Sequence, residues 1–306
     1  MEQKNGWKAW IYLAPALIIL ALFTFYPLVN TIYISFLNGY KQSLAASGVS
    51  FKFGINNYVQ VFKNDYLIEG LVNTCIIAFV TVPLSTIIAL LIAVGLNSIK
   101  PLRSFLQTIY FLPYVTNGIA IGMVFSMIFS VYQTGSVVNN IGLFNHLLQL
   151  FGVDVTDLTW VSTNAPKFNK MFVLCTYIIW NALPFKIMIL LGALQSVNKQ
   201  YYDAARVDGT SRFRVFTKIT VPLISPMLLY VVVTGFIGAF KEYTSAVGIF
   251  GENLKDYGMT TMVGFIYDSL SQVWTGRAAA GALFLFVIIL FITLIQFLVS
   301  KKKVHY

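Results

Sequence analysis

Long apolar runs constrain this chain more than any other feature of its sequence. A helix that crosses a bilayer needs about 20 mostly apolar residues, and six stretches are long enough: 10–37, 71–96, 104–130, 171–194, 223–250 and 278–299. Only 10% of the residues are charged, whereas soluble domains carry about 25%. We therefore predict an all-α polytopic membrane protein with six transmembrane helices.

The basic residues between these runs predict which side of the membrane each loop faces. Lysine and arginine concentrate in the cytoplasmic loops of membrane proteins. If the N-terminus is cytoplasmic, the inner segments hold most of the basic residues outside the runs, and residues 199–222 are the most basic of them. We expect both termini in the cytoplasm. A nucleic-acid-binding protein could share the net charge of +10 but not this hydropathy, so we expect contact with membrane lipid and none with nucleic acid.

The sequence offers little material for an active site or a metal centre. It contains two histidines, eleven acidic residues and two cysteines, Cys75 and Cys175, which both lie in apolar runs. No cluster of His, Cys and carboxylates has the spacing of a metal site, and no G-x-x-x-x-G-K-[ST] phosphate-binding loop occurs. We expect that the chain is not an enzyme and binds no cofactor. Any ATP-driven function would need an ATPase on another chain.

Residues 199–222, here called the basic segment, are charged and helix-forming although they lie between two apolar runs. Residues 203–205 favour a helix, and Gly209 permits a left-handed turn that other residues resist. Basic residues interleaved with apolar ones follow the glycine. A loop that only returned the chain would need a few residues. We therefore predict two short amphipathic helices around Gly209 that dock another protein.

The stretch YDAARVDGTSRFRVFTKITVPLISP resembles the cytoplasmic EAA loop of ABC importer permeases, whose pattern is E-A-A-x-x-D-G-A-S-x-x-x-x-F-x-x-I-x-x-P. The residues in register with that pattern are Ala204, Ala205, Asp208, Gly209, Ser211, Phe216, Ile219 and Pro222. Asp203 replaces the glutamate, and Thr210 replaces an alanine. Other stretches, among them FLPYVTNGIAIGMVFSMIF and LLGALQSVNKQYYDAA, resemble the sugar-permease branch. Within that branch they are most similar to the first permease subunit of maltose and glycerol-phosphate transporters.

This resemblance implies a type I ABC importer transmembrane domain, with residues 1–306 forming one permease domain for a carbohydrate in a bacterial or archaeal cytoplasmic membrane. It also implies a second homologous permease subunit, two ATPase subunits that hold ATP and Mg²⁺, and an extracytoplasmic solute-binding protein. In the family, the EAA loop forms a coupling helix that sits in a cleft of the ATPase. The residues carried over to that role are Asp203, Ala204, Ala205, Asp208, Gly209, Ser211, Arg212 and Phe216.

Polar residues inside the fourth and fifth runs are candidates for a substrate pathway, because polar groups within a membrane usually face a cavity or a partner. Several of them recur at helical spacing and so share a helix face. The candidates are Tyr177, Asn181, Phe185 and Lys186 in the fourth run, and Thr234, Gly238, Lys241, Glu242 and Ser245 in the fifth. Aromatic rings with amide and hydroxyl groups suit a sugar, although polar faces also hold membrane helices together.

Three shorter patterns lie outside this pathway. A stripe of apolar residues between the third and fourth runs predicts an amphipathic helix on the outer membrane surface. Its members are Val137, Ile141, Phe144, Leu148 and Phe151. Residues 259–274, before the last run, are expected to form a similar helix. The sequence GIAIG, residues 118–122, has the G-x-x-x-G spacing of close helix contact.

Three alternatives remain open on the sequence. The solute could be glycerol phosphate, a polyamine or an anion rather than a carbohydrate, since Lys186 and Lys241 would suit a phosphate. A secondary transporter would show inverted repeats or broken helices in matching positions, and it would leave the EAA loop without a role. An intramembrane enzyme, such as a lipid-modifying transferase, would need catalytic groups that the runs do not offer.

Overall fold

The computed structural model describes residues 6–99, 114–134, 137–155 and 158–301, together with residues 105, 108, 109 and 112. Most of these residues are helical, and one antiparallel hairpin is the only sheet among them. In chain order the elements are α1 (Gly6–Leu20), α2 (Tyr26–Ser35), α3 (Gln42–Ala46), α4 (Asn56–Phe62), α5 (Asp65–Ser98), α6 (Gly118–Phe129), β1 (Val131–Thr134), β2 (Val137–Ile141), α7 (Leu143–Leu150), α8 (Lys167–Ser196), α9 (Lys199–Val207), α10 (Arg212–Val215), α11 (Val221–Leu223), α12 (Ser225–Phe240), α13 (Thr244–Phe250), α14 (Met262–Ser271) and α15 (Thr275–Ser300). Short π-helical turns, Ala21–Phe25 and Phe216–Thr220, join α1 to α2 and α10 to α11.

Four helices among the described residues are long and apolar enough to cross a membrane: Trp10–Ser35, Asp65–Ser98, Lys167–Ser196 and Thr275–Ser300. They coincide with the first, second, fourth and sixth predicted runs. A fifth span results if Arg212–Leu223 and Ser225–Phe240, which are bent by 69° at their break, count as one. The coarse prediction of a helical, multi-pass membrane protein is therefore confirmed, whereas the count of six spans is not.

The third predicted run, 104–130, lies partly outside the described residues. Its described part contains α6, which has 12 residues and is too short to cross a bilayer by itself. Asn117 starts this helix, because its Oδ1 accepts hydrogen bonds from the amides of Ile119 and Ala120 at 2.9 Å and 3.4 Å. A side-chain oxygen in this position satisfies amides that have no partner within the helix.

The fifth predicted run, 223–250, is not a single helix. It contains α12, a break at residues 241–243, and α13. The side chain of Glu242 explains the break, since its Oε1 accepts hydrogen bonds from the amides of Tyr243 at 3.1 Å and Ser245 at 2.9 Å. This carboxylate starts a new helix. The spacing predicted that Lys241 continues the polar face of α12. This prediction is wrong, because α12 ends at Phe240.

The predicted amphipathic helix between the third and fourth runs is wrong in its first part. Val137 and Ile141 belong to strand β2, which pairs with β1 so that Val137 faces Thr134 and Ile141 faces Val131. β-branched residues favour this extended pairing. Only α7 is helical there. The expected helix within residues 259–274 is confirmed as α14.

The chain divides into two compact units. The first contains residues 1–67 and 265–287, and the side chain of Asn57 holds its loops. Asn57 Nδ2 donates to the carbonyls of Ser35 at 2.9 Å and Leu37 at 2.7 Å, and its Oδ1 accepts from the amide of Gly39 at 3.1 Å. Gly276 lies so close that a Cβ there would be 2.7 Å from Asn57 Nδ2.

The second unit contains residues 68–264 and 288–306, and α5, α8 and α12 form its core. Small residues such as Ala89 and Ala93, which are both fully buried, let these helices approach closely. The apolar side chains buried with them are Leu96, Ile187, Leu190, Leu191, Ala193, Leu194, Ile224 and Val231.

The G-x-x-x-G prediction is confirmed at its second glycine, which belongs to this same unit. Gly122 lies in α6 and meets Gly248 in α13. A Cβ on Gly122 would be 2.7 Å from the Cα of Gly248, so neither position has room for a side chain.

Candidate functional site

The basic segment begins with a capped helix. The side chain of Asn198 accepts a hydrogen bond from the amide of Gln200 at 3.0 Å, and α9 follows directly. Capping of this kind stabilises a helix by about 1 kcal/mol. It lets a helix of nine residues form on the surface with few tertiary contacts.

Gly209 ends this helix in the left-handed turn that the sequence predicted, with φ at +64°. The amide of Thr210 donates to the carbonyl of Ala205 at 3.0 Å, and the amide of Gly209 donates to that of Arg206 at 3.2 Å. This pair of bonds defines a Schellman turn, in which glycine is the favoured residue. Beyond Gly209 and its two chain neighbours, no described atom lies within 4 Å of a Cβ built on this glycine. A substitution would therefore meet backbone strain rather than a collision.

Six of the eight predicted coupling residues are exposed on this segment: Asp203, Ala204, Asp208, Gly209, Ser211 and Arg212. Two are not. Ala205 is 5% exposed, and Phe216 is half-buried where it lines a cavity of about 650 Å³ under the segment. These two residues face the rest of the protein. Their positions favour anchoring the segment over contact with a partner.

Two apolar side chains that the sequence reading did not select dominate the exposed surface. Val207 is 88% exposed and Phe213 is 77% exposed. Val207 follows the buried Ala205 by two residues, which places it on the opposite side of the helix; that spacing could have identified it. The nearby ion pair between Asp203 and Arg206, at 3.6 Å, is also exposed. It contributes little stability, because exposed pairs are solvated.

A second feature is a cavity of about 350 Å³ between α5, α8 and α12, within the range of small-molecule sites. The predicted pathway residues that line it are Asn181, Phe185, Lys186, Thr234, Gly238 and Glu242. The ring of Tyr114 stacks on that of Phe185, with centroids 5.8 Å apart and planes 19° apart. Tyr114 and Phe185 therefore form an aromatic wall, of which the sequence reading selected only one member.

Three predicted pathway residues lie elsewhere. Tyr177 is fully buried, and its hydroxyl donates to the carbonyl of Gly118 at 2.7 Å, so it holds two helices together. Ser245 is buried, and its amide donates a hydrogen bond to Glu242 Oε1. Lys241 is exposed and does not line the cavity. The residues that the structure describes also contain no group of three or more His, Cys, Asp or Glu able to hold a metal ion.

Among the described residues, Lys186 is the only lysine that lines this cavity, and α5 holds its ammonium group. Its Nζ donates to the carbonyl of Val82 at 3.2 Å, to Ser85 Oγ at 2.7 Å and to Thr86 Oγ1 at 2.9 Å. An ammonium group has three protons, and these acceptors use all of them. Lys186 thereby joins α8 to α5.

Other polar groups of the cavity keep free hydrogen-bonding capacity. The amide of Asn181 and the Oε2 of Glu242 have no hydrogen-bond partner among the described residues. An amide offers both donors and acceptors, and a carboxylate oxygen accepts. Together with the aromatic wall, these groups could bind a molecule that has apolar faces and a rim of hydroxyls.

Comparison with known proteins gives one family whose model covers most of the chain. The model is described as "Binding-protein-dependent transport system inner membrane component" and matches residues 82–305. The matched region includes the basic segment and every residue that lines the cavity, apart from Thr81.

Individual proteins are similar over nearly the whole length. The arabinooligosaccharides transport system permease protein AraP of Bacillus subtilis is 26% identical, with 97% of this chain and 93% of the relative covered. The sn-glycerol-3-phosphate transport system permease protein UgpA of Pectobacterium atrosepticum is 24% identical, with 99% and 97% covered. A chain in the crystal structure of a bacterial alginate ABC transporter, in complex with a periplasmic protein bound to alginate pentasaccharide, shares the fold. Its TM-score is 0.77 at 21% identity, with 99% of this chain and 98% of that chain covered.

Proposed function

The chain belongs to the family of binding-protein-dependent transport system inner membrane components, and we propose that it is the permease subunit of an ATP-driven importer for a carbohydrate. The observation that carries this proposal is the position of the basic segment. The exposed helix α9, which Asn198 caps, and the turn that follows it lie within the region that matches the family. The chain itself would supply the path for the solute, and a separate ATPase subunit would supply the energy.

The proposed assembly contains a second homologous permease subunit, two ATPase subunits and an extracytoplasmic solute-binding protein. ATP and Mg²⁺ would bind to the ATPase subunits, and no cofactor would bind to this chain. Both termini would be cytoplasmic in a bacterial or archaeal cell membrane. This orientation places the basic segment on the same side as the ATPase, in agreement with its excess of basic residues.

The basic segment would transmit movement of the ATPase to the membrane helices. A helix transmits a displacement that a flexible loop would absorb. The exposed side chains of Val207 and Phe213 are suited to bury apolar area in a cleft of the partner. The half-buried Tyr202 and Phe216 line the cavity under the segment together with Leu194. They would pass the displacement to α8.

A carbohydrate suits the central cavity. Sugars present apolar ring faces that stack on aromatic side chains, and hydroxyls that bond to amides and carboxylates. The cavity offers the Tyr114 and Phe185 rings, the Asn181 amide and the Glu242 carboxylate. The name of the AraP relative, a permease for arabinooligosaccharides, also favours a saccharide.

A second candidate is a permease of the same kind for a solute that is not a sugar. The name of the UgpA relative favours it, because sn-glycerol 3-phosphate carries a phosphate.

The proposed function is tested by purifying this chain in mild detergent from cells of its native host. The expected result is co-purification of an ATPase whose hydrolysis rate rises when loaded binding protein is added. ATP hydrolysis by the chain alone, free of other proteins, would contradict the proposal. So would the absence of any ATPase from the purified complex.

A further inference from the structure

Two lysines of the predicted pathway, Lys186 and Lys241, would suit an anionic solute, but neither offers a free N–H donor to the cavity. Lys186 lines the cavity, but its three protons bond to Val82, Ser85 and Thr86. The two hydroxyls can accept these bonds because each donates its own proton to a backbone carbonyl.

Space around Lys186 gives a second reason. Gly235 of α12 packs over its ammonium group, since a Cβ built on this glycine would be 3.3 Å from Lys186 Nζ. The amine is therefore enclosed between α5 and α12, and the whole of Lys186 is only 4% exposed. The other lysine, Lys241, is exposed outside the cavity.

Glu242 is the charged group with capacity left for a ligand. Its Oε1 is fixed by the amides of Tyr243 and Ser245, which hold the carboxylate at the edge of the cavity. Its Oε2 has no hydrogen-bond partner among the residues that the structure describes. A fixed carboxylate oxygen is a strong acceptor for hydroxyl protons. The same oxygen repels a phosphate or a second carboxylate, and this repulsion is strong where water is excluded.

We propose that this cavity accepts a neutral, hydroxyl-rich solute and rejects phosphate-bearing and carboxylate-bearing solutes, with Glu242 as the residue that determines this selectivity. The Asn181 amide and the aromatic wall complete the contacts with the solute. This inference rests on the proposed function, because it takes the cavity to lie on the transport path. It separates the two candidates of the preceding section. Selectivity of this kind comes from an unfavourable contact with the wrong solute as well as a favourable one with the right solute.

The test uses the complete transporter, purified with its partner permease and ATPase subunits and without the solute-binding protein. Equilibrium dialysis measures binding of neutral radiolabelled probes (maltotriose, arabinotriose and lactose) and of anionic ones (glycerol 3-phosphate and trigalacturonate). The variant is Glu242→Gln, which keeps the shape of the side chain and removes its charge. The matched control is Lys241→Gln, which removes the neighbouring charge outside the cavity.

We expect the unmodified transporter to bind at least one neutral probe and neither anionic probe. Glu242→Gln should weaken binding of the neutral probe about tenfold, since a neutral acceptor replaces a charged one. It should also make binding of an anionic probe measurable. Lys241→Gln should change neither value by more than about twofold, because exposed charges outside a site are screened.

Three results would overturn the inference: tighter binding of an anionic probe than of every neutral one, no binding of any neutral probe, or equal effects of the two substitutions. ATPase co-purification from the same preparations tests the proposed function separately. If the ATPase is present and an anionic probe binds best, the proposed importer function is supported and only the selectivity inference fails. If no ATPase is present, the proposed function fails first.

Discussion

The turn after α9 and the turn after α14 have the same backbone geometry and different central residues. In the first, Gly209 has a φ of +64°, and in the second, Val273 has a φ of +63°. Each central amide bonds to the carbonyl three residues earlier, and the next amide bonds to a carbonyl five residues earlier. One turn thus has the residue that favours it, and the other has a β-branched residue, for which this conformation is a true outlier.

The difference shows what each turn needs from its surroundings. An L-residue in the left-handed region costs about 1–2 kcal/mol, so contacts elsewhere must hold Val273 in place. Such contacts are present: Lys41 Nζ lies 3.8 Å from the centroid of the Trp274 ring, and the amide of Gly276 donates to the carbonyl of Tyr40 at 3.0 Å. The turn at Gly209 has nothing within 4 Å of its Cβ position. Its shape comes from its own two backbone hydrogen bonds and from the ease with which glycine adopts a positive φ, which suits a segment that docks a partner.

The largest effect should come from replacing the glycine that permits this turn. Gly209→Val would place a β-branched residue in the left-handed region with no neighbouring contacts to hold it there. We expect loss of ATPase association and of uptake, while the membrane helices stay folded because the site lies outside them. Gly209→Asn is the matched control, since asparagine tolerates this conformation, and it should retain most of both activities. The measurement is ATPase co-purification beside uptake. Full activity of Gly209→Val would show that the turn does not set the geometry of coupling.

A smaller loss is expected from reversing a charge on the same helix. Asp203→Lys should weaken ATPase association about tenfold, equivalent to about 1.4 kcal/mol, because it removes the pairing with Arg206 and changes the docking surface. Asp203→Glu restores the residue typical of the EAA pattern and should be nearly silent. Binding of the purified ATPase to immobilised permease would measure both. Equal ATPase affinities of the two variants would show that Asp203 is not part of the docking surface.

The contacts around Val273 predict an effect on stability rather than on coupling. Trp274→Ala should lower the free energy of unfolding by about 1–3 kcal/mol, since it removes apolar contacts and the cation–π contact with Lys41. ATPase association should not change. Thermal unfolding in detergent, followed by loss of a monodisperse peak, would show the lower stability as a lower apparent melting temperature. If Trp274→Ala weakens ATPase association as strongly as Gly209→Val, the two turns do not have separate roles.

The smallest expected effect is a gain. Val273→Gly relieves the left-handed strain, but glycine also makes the unfolded chain more flexible. The net change should be a stabilisation of less than about 1 kcal/mol, seen as a rise of a few degrees in the apparent melting temperature. Val273→Ala should give no such rise, because alanine keeps the strain. A lower melting temperature for Val273→Gly would mean that contacts of the valine side chain outweigh its backbone strain.

Local patterns predicted the features that depend on neighbours in sequence. The apolar runs gave four helices at the expected positions, and the motif around Gly209 gave its left-handed turn, because a turn and a helix are specified within a few residues. The break before α13 was missed. The helical spacing of Lys241 and Ser245 with Gly238 indicated one continuous helix, whereas the break depends on one carboxylate that accepts hydrogen bonds from the amides of Tyr243 and Ser245.

Features that depend on contacts between residues far apart in the sequence could not be predicted. Lys186 looked available for a phosphate because its acceptors, Ser85 and Thr86, are about one hundred residues away and no local pattern joins them. Val273 gave no sign of a turn, since valine is the wrong residue for it. Phe216 matched the family pattern and faces inward, whereas the exposed Phe213 falls at a position that the pattern leaves open.

Site-directed crosslinking tests most directly whether the basic segment contacts an ATPase. A cysteine replaces Val207 or Phe213 in a chain whose Cys75 and Cys175 have been changed to alanine, and a short bifunctional reagent is applied to the assembled transporter. We predict a crosslink to the ATPase subunit from both positions. We predict none from a cysteine at Phe151, which is similarly exposed at 84% but belongs to a loop expected on the outer side. An intact complex that crosslinks from neither Val207 nor Phe213, or that crosslinks to the ATPase from Phe151, would contradict it.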